Sequence, residues 1–164
     1  MISSPFASNV LISYAGDVKL GDFGIARVAS SAEAEENGSR TAGHFGYLAP
    51  EQLTGEGHDC RADLFALGVI LGELLIGQRI FPGSGQLAIM LSIRDANILP
   101  LRRAADQLPN GLFAVCERAL CRNPEDRYAS AKEFEDALQP FAGDAGKLTN
   151  SLASWVSWAM DHTR

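Results

Sequence analysis

Asn9-Val10-Leu11-Ile12-Ser13-Tyr14-Ala15-Gly16-Asp17-Val18-Lys19-Leu20-Gly21-Asp22-Phe23-Gly24 is the stretch on which the reading of this chain turns. Asn9 to Ser13 is rich in β-forming residues, Tyr14 to Asp17 carries turn chemistry, and Val18 to Gly21 makes a short return strand. The two arms are about equally long, so a hairpin sets Asn9 beside Asp22 at its open end. One amide oxygen and one carboxylate held together suit a hard cation such as Mg²⁺, which takes oxygen ligands and keeps water and phosphate oxygens in its remaining positions. The same two residues also serve as ordinary strand-end turn formers. The hairpin alone does not choose between these readings.

Three stretches further along decide it. Ala49-Pro50-Glu51 follows the hairpin after a small-residue, acidic loop at Ala29 to Arg40 that lacks apolar periodicity. The run Arg61-Ala62-Asp63-Leu64-Phe65-Ala66-Leu67-Gly68-Val69-Ile70-Leu71-Gly72-Glu73-Leu74-Leu75 is apolar on nearly every side, the pattern of a helix enclosed by its neighbours. Arg122-Asn123-Pro124-Glu125-Asp126-Arg127-Tyr128 comes last. An Asn, then Asp-Phe-Gly, then Ala-Pro-Glu in that order is part of the protein-kinase signature. The segment from Asn9 to Leu138 resembles the C-terminal lobe of a serine/threonine protein kinase of the bacterial, eukaryotic-like type.

The resemblance implies a mainly α fold, a kinase-like C-terminal lobe with a short N-terminal β-hairpin. It divides the chain into a divergent segment 1–8, a lobe 9–140 with its activation segment at 22–51, and a tail 141–164. Asn9 and Asp22 would be the Mg²⁺ ligands, and Asn9 with Asp22-Phe23-Gly24 would border the nucleotide. Arg127 would pair with Glu51, and Asp63 would anchor the catalytic loop through backbone hydrogen bonds. From the residues alone, Asp63 also reads as an N-cap opening its helix. The parent reaction is Mg·ATP-dependent phosphoryl transfer to protein Ser or Thr, with a protein substrate or a partner kinase as the other molecule.

The chain departs from the family at its front. The catalytic Asp lies five positions before the Asn, and that position is Ser4. Ile2 and Ser3 stand where His and Arg are expected, and Phe6 where these kinases commonly carry a Lys. A serine hydroxyl does not accept a proton near neutral pH. The candidate phosphosites Ser39 and Thr41 would lack the arginine that usually receives an activation-loop phosphate. His44 replaces a threonine that touches the catalytic Asp in serine/threonine kinases, which leaves the preferred substrate residue open. The Gly-rich loop, the Val-Ala-Ile-Lys strand and the C-helix Glu have no counterpart before Asn9. The expectation is a C-lobe fragment from a truncated or frame-shifted reading frame, inactive as these residues stand, with weak or no binding of ATP and Mg²⁺. The competing expectation is a non-catalytic, pseudokinase-like binding or scaffold module, whose exposed cleft floor favours a partner or self-association.

Composition is consistent with one folded unit of 164 residues, 46% of them hydrophobic. The net charge of −6 argues against nucleic acid as partner. Cys60, Cys116 and Cys121, with the scattered His44, His58 and His162, lack metal-ligand spacing and read as free thiols of a cytoplasmic protein. Met1 to Ala7 has no leader character, and Leu64 to Gly72 is too short to span a membrane.

Periodicity and punctuation predict helices over Asp63–Ile76, Gly85–Asp95, Gly111–Cys121 and Ser130–Leu138. Gly77 marks the end of the first, and Ser130 with Glu133 forms a capping box for the last. In the tail, Leu148, Leu152, Trp155, Val156 and Ala159 share one helical stripe with Trp158 off it, predicting a helix docked on the lobe through Trp155, with a partner-binding or membrane-surface helix as the alternatives.

Overall fold

A computed structural model describes residues 9–21, 45–55, 57 and 59–162. Two short strands, β1 (Val10–Ile12) and β2 (Val18–Leu20), pair antiparallel and precede seven α-helices among the described residues. These are α1 (Pro50–Thr54), α2 (Cys60–Ile76), α3 (Gln86–Arg94), α4 (Leu99–Arg103), α5 (Leu112–Ala119), α6 (Ala131–Leu138) and α7 (Ala145–His162). The mainly helical architecture with a short N-terminal hairpin is the one expected.

Helix α2 forms the axis because it has no polar side to turn outward. Phe65, Ala66 and Val69 are fully buried and join Ile80, Ile93, Leu101, Leu112 and Cys116 in the larger core. Leu64, on its other flank, packs into a second cluster with Ala119, Tyr128 and Phe134. Each large side chain enclosed this way contributes about 1.5–3 kcal/mol. Helix α5 lies close against α2 at Gly68, where a Cβ would come within 2.9 Å of the Ala119 methyl.

The helix ends follow capping chemistry. Gly77 takes the left-handed conformation (φ 67°) and donates its N–H to the Glu73 carbonyl at 2.8 Å. Ser130 accepts from the Glu133 amide at 3.1 Å, while the Glu133 carboxylate reaches the amide of Ala129, one residue before the cap. Asp63 is not the N-cap of its helix. Asp59 is, accepting from the Arg61 amide at 2.8 Å, and Asp63 falls in the first turn. Two short helices escaped periodicity, α1 and α4, because five residues cannot display it; each carries a proline in its first turn, Pro50 and Pro100.

The tail helix docks through a face different from the one expected. Thr149, Leu152, Ala153, Val156 and Ala159 are partly buried, whereas Trp155 is 59% exposed and Leu148, Trp158 and Met160 are also exposed. The contact is made by backbone: a Cβ on Gly16 (φ 85°), in the hairpin turn, would lie 2.0 Å from the Thr149 carbonyl oxygen and 3.1 Å from the Ala153 nitrogen. Only a residue without a side chain allows that approach.

Three outcomes follow. Gly16→Ala combines left-handed strain of about 1–2 kcal/mol with a direct clash, so it lowers the melting temperature and raises amide exchange along α7. Trp155→Ala shifts stability by about 0.5 kcal/mol or less in the same melts, as exposed positions do. Burial pushes the Cys116 thiol up to about 11 from 9.0. The unfolded thiol therefore ionises first, and the stability Cys116 contributes is complete below pH 9 and is lost as pH rises toward 11. Urea titrations across that window show a smaller pH slope for Cys116→Ala than for the parent chain.

Candidate functional site

The hairpin positions the first candidate residue. Pairing Val10 with Leu20, Leu11 with Lys19 and Ile12 with Val18 leaves Asn9 opposite Gly21, whose N–H donates to the Asn9 carbonyl at 2.7 Å. At the closed end, Ser13 N–H donates to the Asp17 carbonyl at 2.8 Å and Asp17 N–H to Ser13 Oγ at 3.0 Å. Asn9 is 8% exposed. Asp22 follows Gly21 directly in the sequence. Asp22 itself, with Phe23, Gly24, Ser39, Thr41, His44 and Ser4, lies outside the described residues.

The donor chemistry available here fits Mg²⁺: an amide oxygen on Asn9 and, in sequence directly after Asn9's strand partner, a carboxylate. Among the described residues no group of three His, Cys, Asp or Glu could hold a metal.

Glu51 and Arg127, 76 positions apart, meet in the interior. Arg127 Nη1 donates to Glu51 Oε1 and Nη2 to Oε2, both at 2.7 Å, a two-pronged charged contact. Nη1 also donates to the Arg61 carbonyl at 3.0 Å, Nη2 to the Arg122 carbonyl at 2.9 Å and Nε to the Cys121 carbonyl at 2.8 Å. All five guanidinium protons thus have acceptors, the condition under which such a group can be 2% exposed. The Phe65 ring lies 4.9 Å from the guanidinium carbon and closes the remaining face. The pair clamps the end of the segment 22–51 to the first turn of α2 and to the loop before α6. Asp63 sits in that same first turn, half-buried, while residues 1–8, which include the loop it is expected to anchor, are outside the described set.

A second polar cluster was missed by motif reading. Tyr47, 4% exposed, donates its hydroxyl to Glu73 Oε2 at 3.0 Å and accepts from Arg79 Nη1 at 2.9 Å. Glu73 Oε1 accepts from the Ile80 amide at 3.3 Å. Burial, then the Glu73 carboxylate, pushes the Tyr47 hydroxyl above its usual range. A carboxylate inside a helix apolar on every side needs partners, so Glu73 was the available signal, though nothing in sequence named Tyr47 and Arg79 as those partners.

With this geometry in place, the comparisons define the class. Residues 7–139 match the protein kinase domain family, and the chain belongs to that family. It is 39% identical over 137 residues to the tyrosine-protein kinase MasK of Myxococcus xanthus, covering 84% of this chain and 21% of the relative. Against the serine/threonine-protein kinase PknB of Mycolicibacterium smegmatis it is 38% identical over 141 residues, 84% of this chain and 22% of the relative. Against the serine/threonine-protein kinase PknL of Mycobacterium tuberculosis the figures are 38% over 134 residues, 82% and 33%. The chain spans about a fifth to a third of the length of these curated relatives. No helix among the described residues is long and apolar enough to cross a membrane.

Because Arg127 is buried with every donor engaged, Glu51→Ala leaves an uncompensated charge and costs about 3–5 kcal/mol in urea unfolding. Arg127→Lys, with three donors on a point charge, recovers only part of the stability lost in Arg127→Ala. The double variant Glu51→Leu/Arg127→Met is more stable than either Glu51→Ala or Arg127→Ala, since no buried charge is left unpaired.

Proposed function

We propose that these residues form the C-lobe of a bacterial serine/threonine protein kinase whose parent reaction moves the γ-phosphoryl group of Mg·ATP to a protein hydroxyl, and that they are catalytically silent by themselves. The observation that carries the reading is the hairpin register, which sets Asn9 against Gly21 immediately ahead of Asp22-Phe23-Gly24. Asn9 and Asp22 would hold Mg²⁺, and the activation segment 22–51 would end at the Glu51–Arg127 clamp. The metal would supply charge neutralisation between the phosphates. The lobe extends over 9–140, and the tail 141–164 is an addition to it.

The case for silence rests on Ser4. It occupies the position of the general base, and loss of a positioned base costs typically ~10²–10⁴ in rate. Phe6 in place of the phosphate-steadying Lys lowers the rate further. The names of the relatives divide between tyrosine and serine/threonine kinases. His44 stands at the position where the family tells these apart, so the acceptor hydroxyl is assigned to Ser/Thr on the weight of the PknB and PknL likeness.

A second reading, a non-catalytic module that docks on a partner kinase, is favoured by one observation: Leu11, Val18 and Leu20 of the hairpin are 56%, 54% and 44% exposed.

Titration of ATP with and without Mg²⁺, beside an Asp22→Ala variant, tests the first reading. Weak, Mg²⁺-dependent binding lost in Asp22→Ala supports it, together with no radiolabel transfer to a general protein acceptor. Turnover that depends on Asp22 overturns the silence, and binding indifferent to both Mg²⁺ and Asp22 overturns the site.

A further inference from the structure

A groove of about 420 Å³ opens on the surface between the turn after α3, helix α4 and the C-terminal end of α5. Its size is in the range of pockets that take a few side chains or a small ligand. Ile98 and Leu120, 5% and 1% exposed, give it an apolar floor. Arg102, Arg118 and Arg122 line it against a single acidic residue, Glu117.

The charges do not cancel. Arg102 Nη2 holds Glu117 at 2.8 Å, and Arg118 Nη2 holds Glu133 at 2.7 Å. Asp95, whose carboxylate the Arg122 charge reaches, is gripped on both oxygens by Arg94, at 2.8 and 3.1 Å. Among the described residues no carboxylate pairs with the Arg122 side chain, which leaves one cationic fork in excess beside an apolar floor. In a chain of net charge −6 this is a local reversal of sign. A fork of planar N–H donors matches a carboxylate, and the floor matches an aliphatic side chain next to it.

We propose that this groove is a docking site for an acidic segment of a partner protein, with a carboxylate side chain on Arg122 and a neighbouring apolar side chain over Ile98 and Leu120. A protein segment is the occupant because the chain belongs to a family whose members act on proteins. The proposal rests on that membership and not on nucleotide binding, so the ATP titration and the test below fail independently. The groove is also joined to the clamp: the carbonyls of Cys121 and Arg122, both lining residues, accept from Arg127.

The test is an amide-resolved NMR titration of the full chain with the blocked peptide acetyl-Leu-Asp-Glu-Leu-amide. Saturable shifts at Ala96, Ala114, Cys121 and Arg122 are expected, with binding about two- to fivefold weaker for the Asn/Gln version of the peptide, the loss of one solvent-accessible charged contact. Arg122→Gln weakens the acidic peptide to the same extent, and Arg103→Gln, outside the groove, leaves it unchanged. The spectrum of Arg122→Gln away from the groove verifies the fold, and Arg102→Gln gives a second, smaller loss. Equal binding of the uncharged peptide, indifference to Arg122→Gln, or shifts mapping to another surface overturns the proposal. So does equal saturation by acetate or inorganic phosphate, which marks a small-anion site instead.

Discussion

A cation buried in the interior must have every proton accepted, and Arg127 meets that requirement with five acceptors drawn from three separate parts of the chain. Two belong to Glu51 and the others are carbonyls of Arg61, Cys121 and Arg122. The contact therefore fixes where α1, the start of α2 and the loop before α6 stand relative to one another. Apolar packing along α2 supplies the bulk of the stability but little directional information. The guanidinium supplies direction, since five fixed N–H vectors accept only one arrangement of the three segments.

Around that point the polar groups of the lobe are organised as closed sets. Tyr47, Glu73 and Arg79 satisfy one another and the amide of Ile80. Asp59 caps α2 while also accepting from Arg61 Nε. Tyr47 stands four residues before Glu51, so the stretch from 47 to 51 is held at both ends, by the Tyr47 hydroxyl on Glu73 in the C-terminal part of α2 and by the Glu51 carboxylate through Arg127, which also bonds the Arg61 carbonyl at the start of α2. A segment pinned twice against one helix cannot slide along it.

Much of this was legible from residues. The hairpin, the four longer lobe helices and the Gly77 end all follow from alternation, apolar periodicity and turn chemistry, and the structure places them within a few residues of expectation. What escaped has physical reasons. Asp63 and Asp59 are equally good caps by composition, and the choice falls to whichever stands where the backbone is still extended, which is Asp59 at φ −126°. Trp155 belongs to a stripe by spacing, yet the docking partner is Gly16 in the hairpin turn, and an approach that close to backbone falls on the small residues Thr149 and Ala153 and not on a bulky ring. Of the site, the residues of the clamp could be named from motif order, whereas its three carbonyl acceptors could not, because backbone groups leave no mark in a sequence.

The seat of α7 on Gly16 has a consequence for how this lobe can diversify. Hairpin turns at a surface are ordinarily places where a chain tolerates insertions or swaps of turn type. Here the turn is roofed by a helix that lies wholly beyond the family-matched residues 7–139. A longer turn would lift that roof, so the length of one loop and the presence of the appended helix must be inherited together.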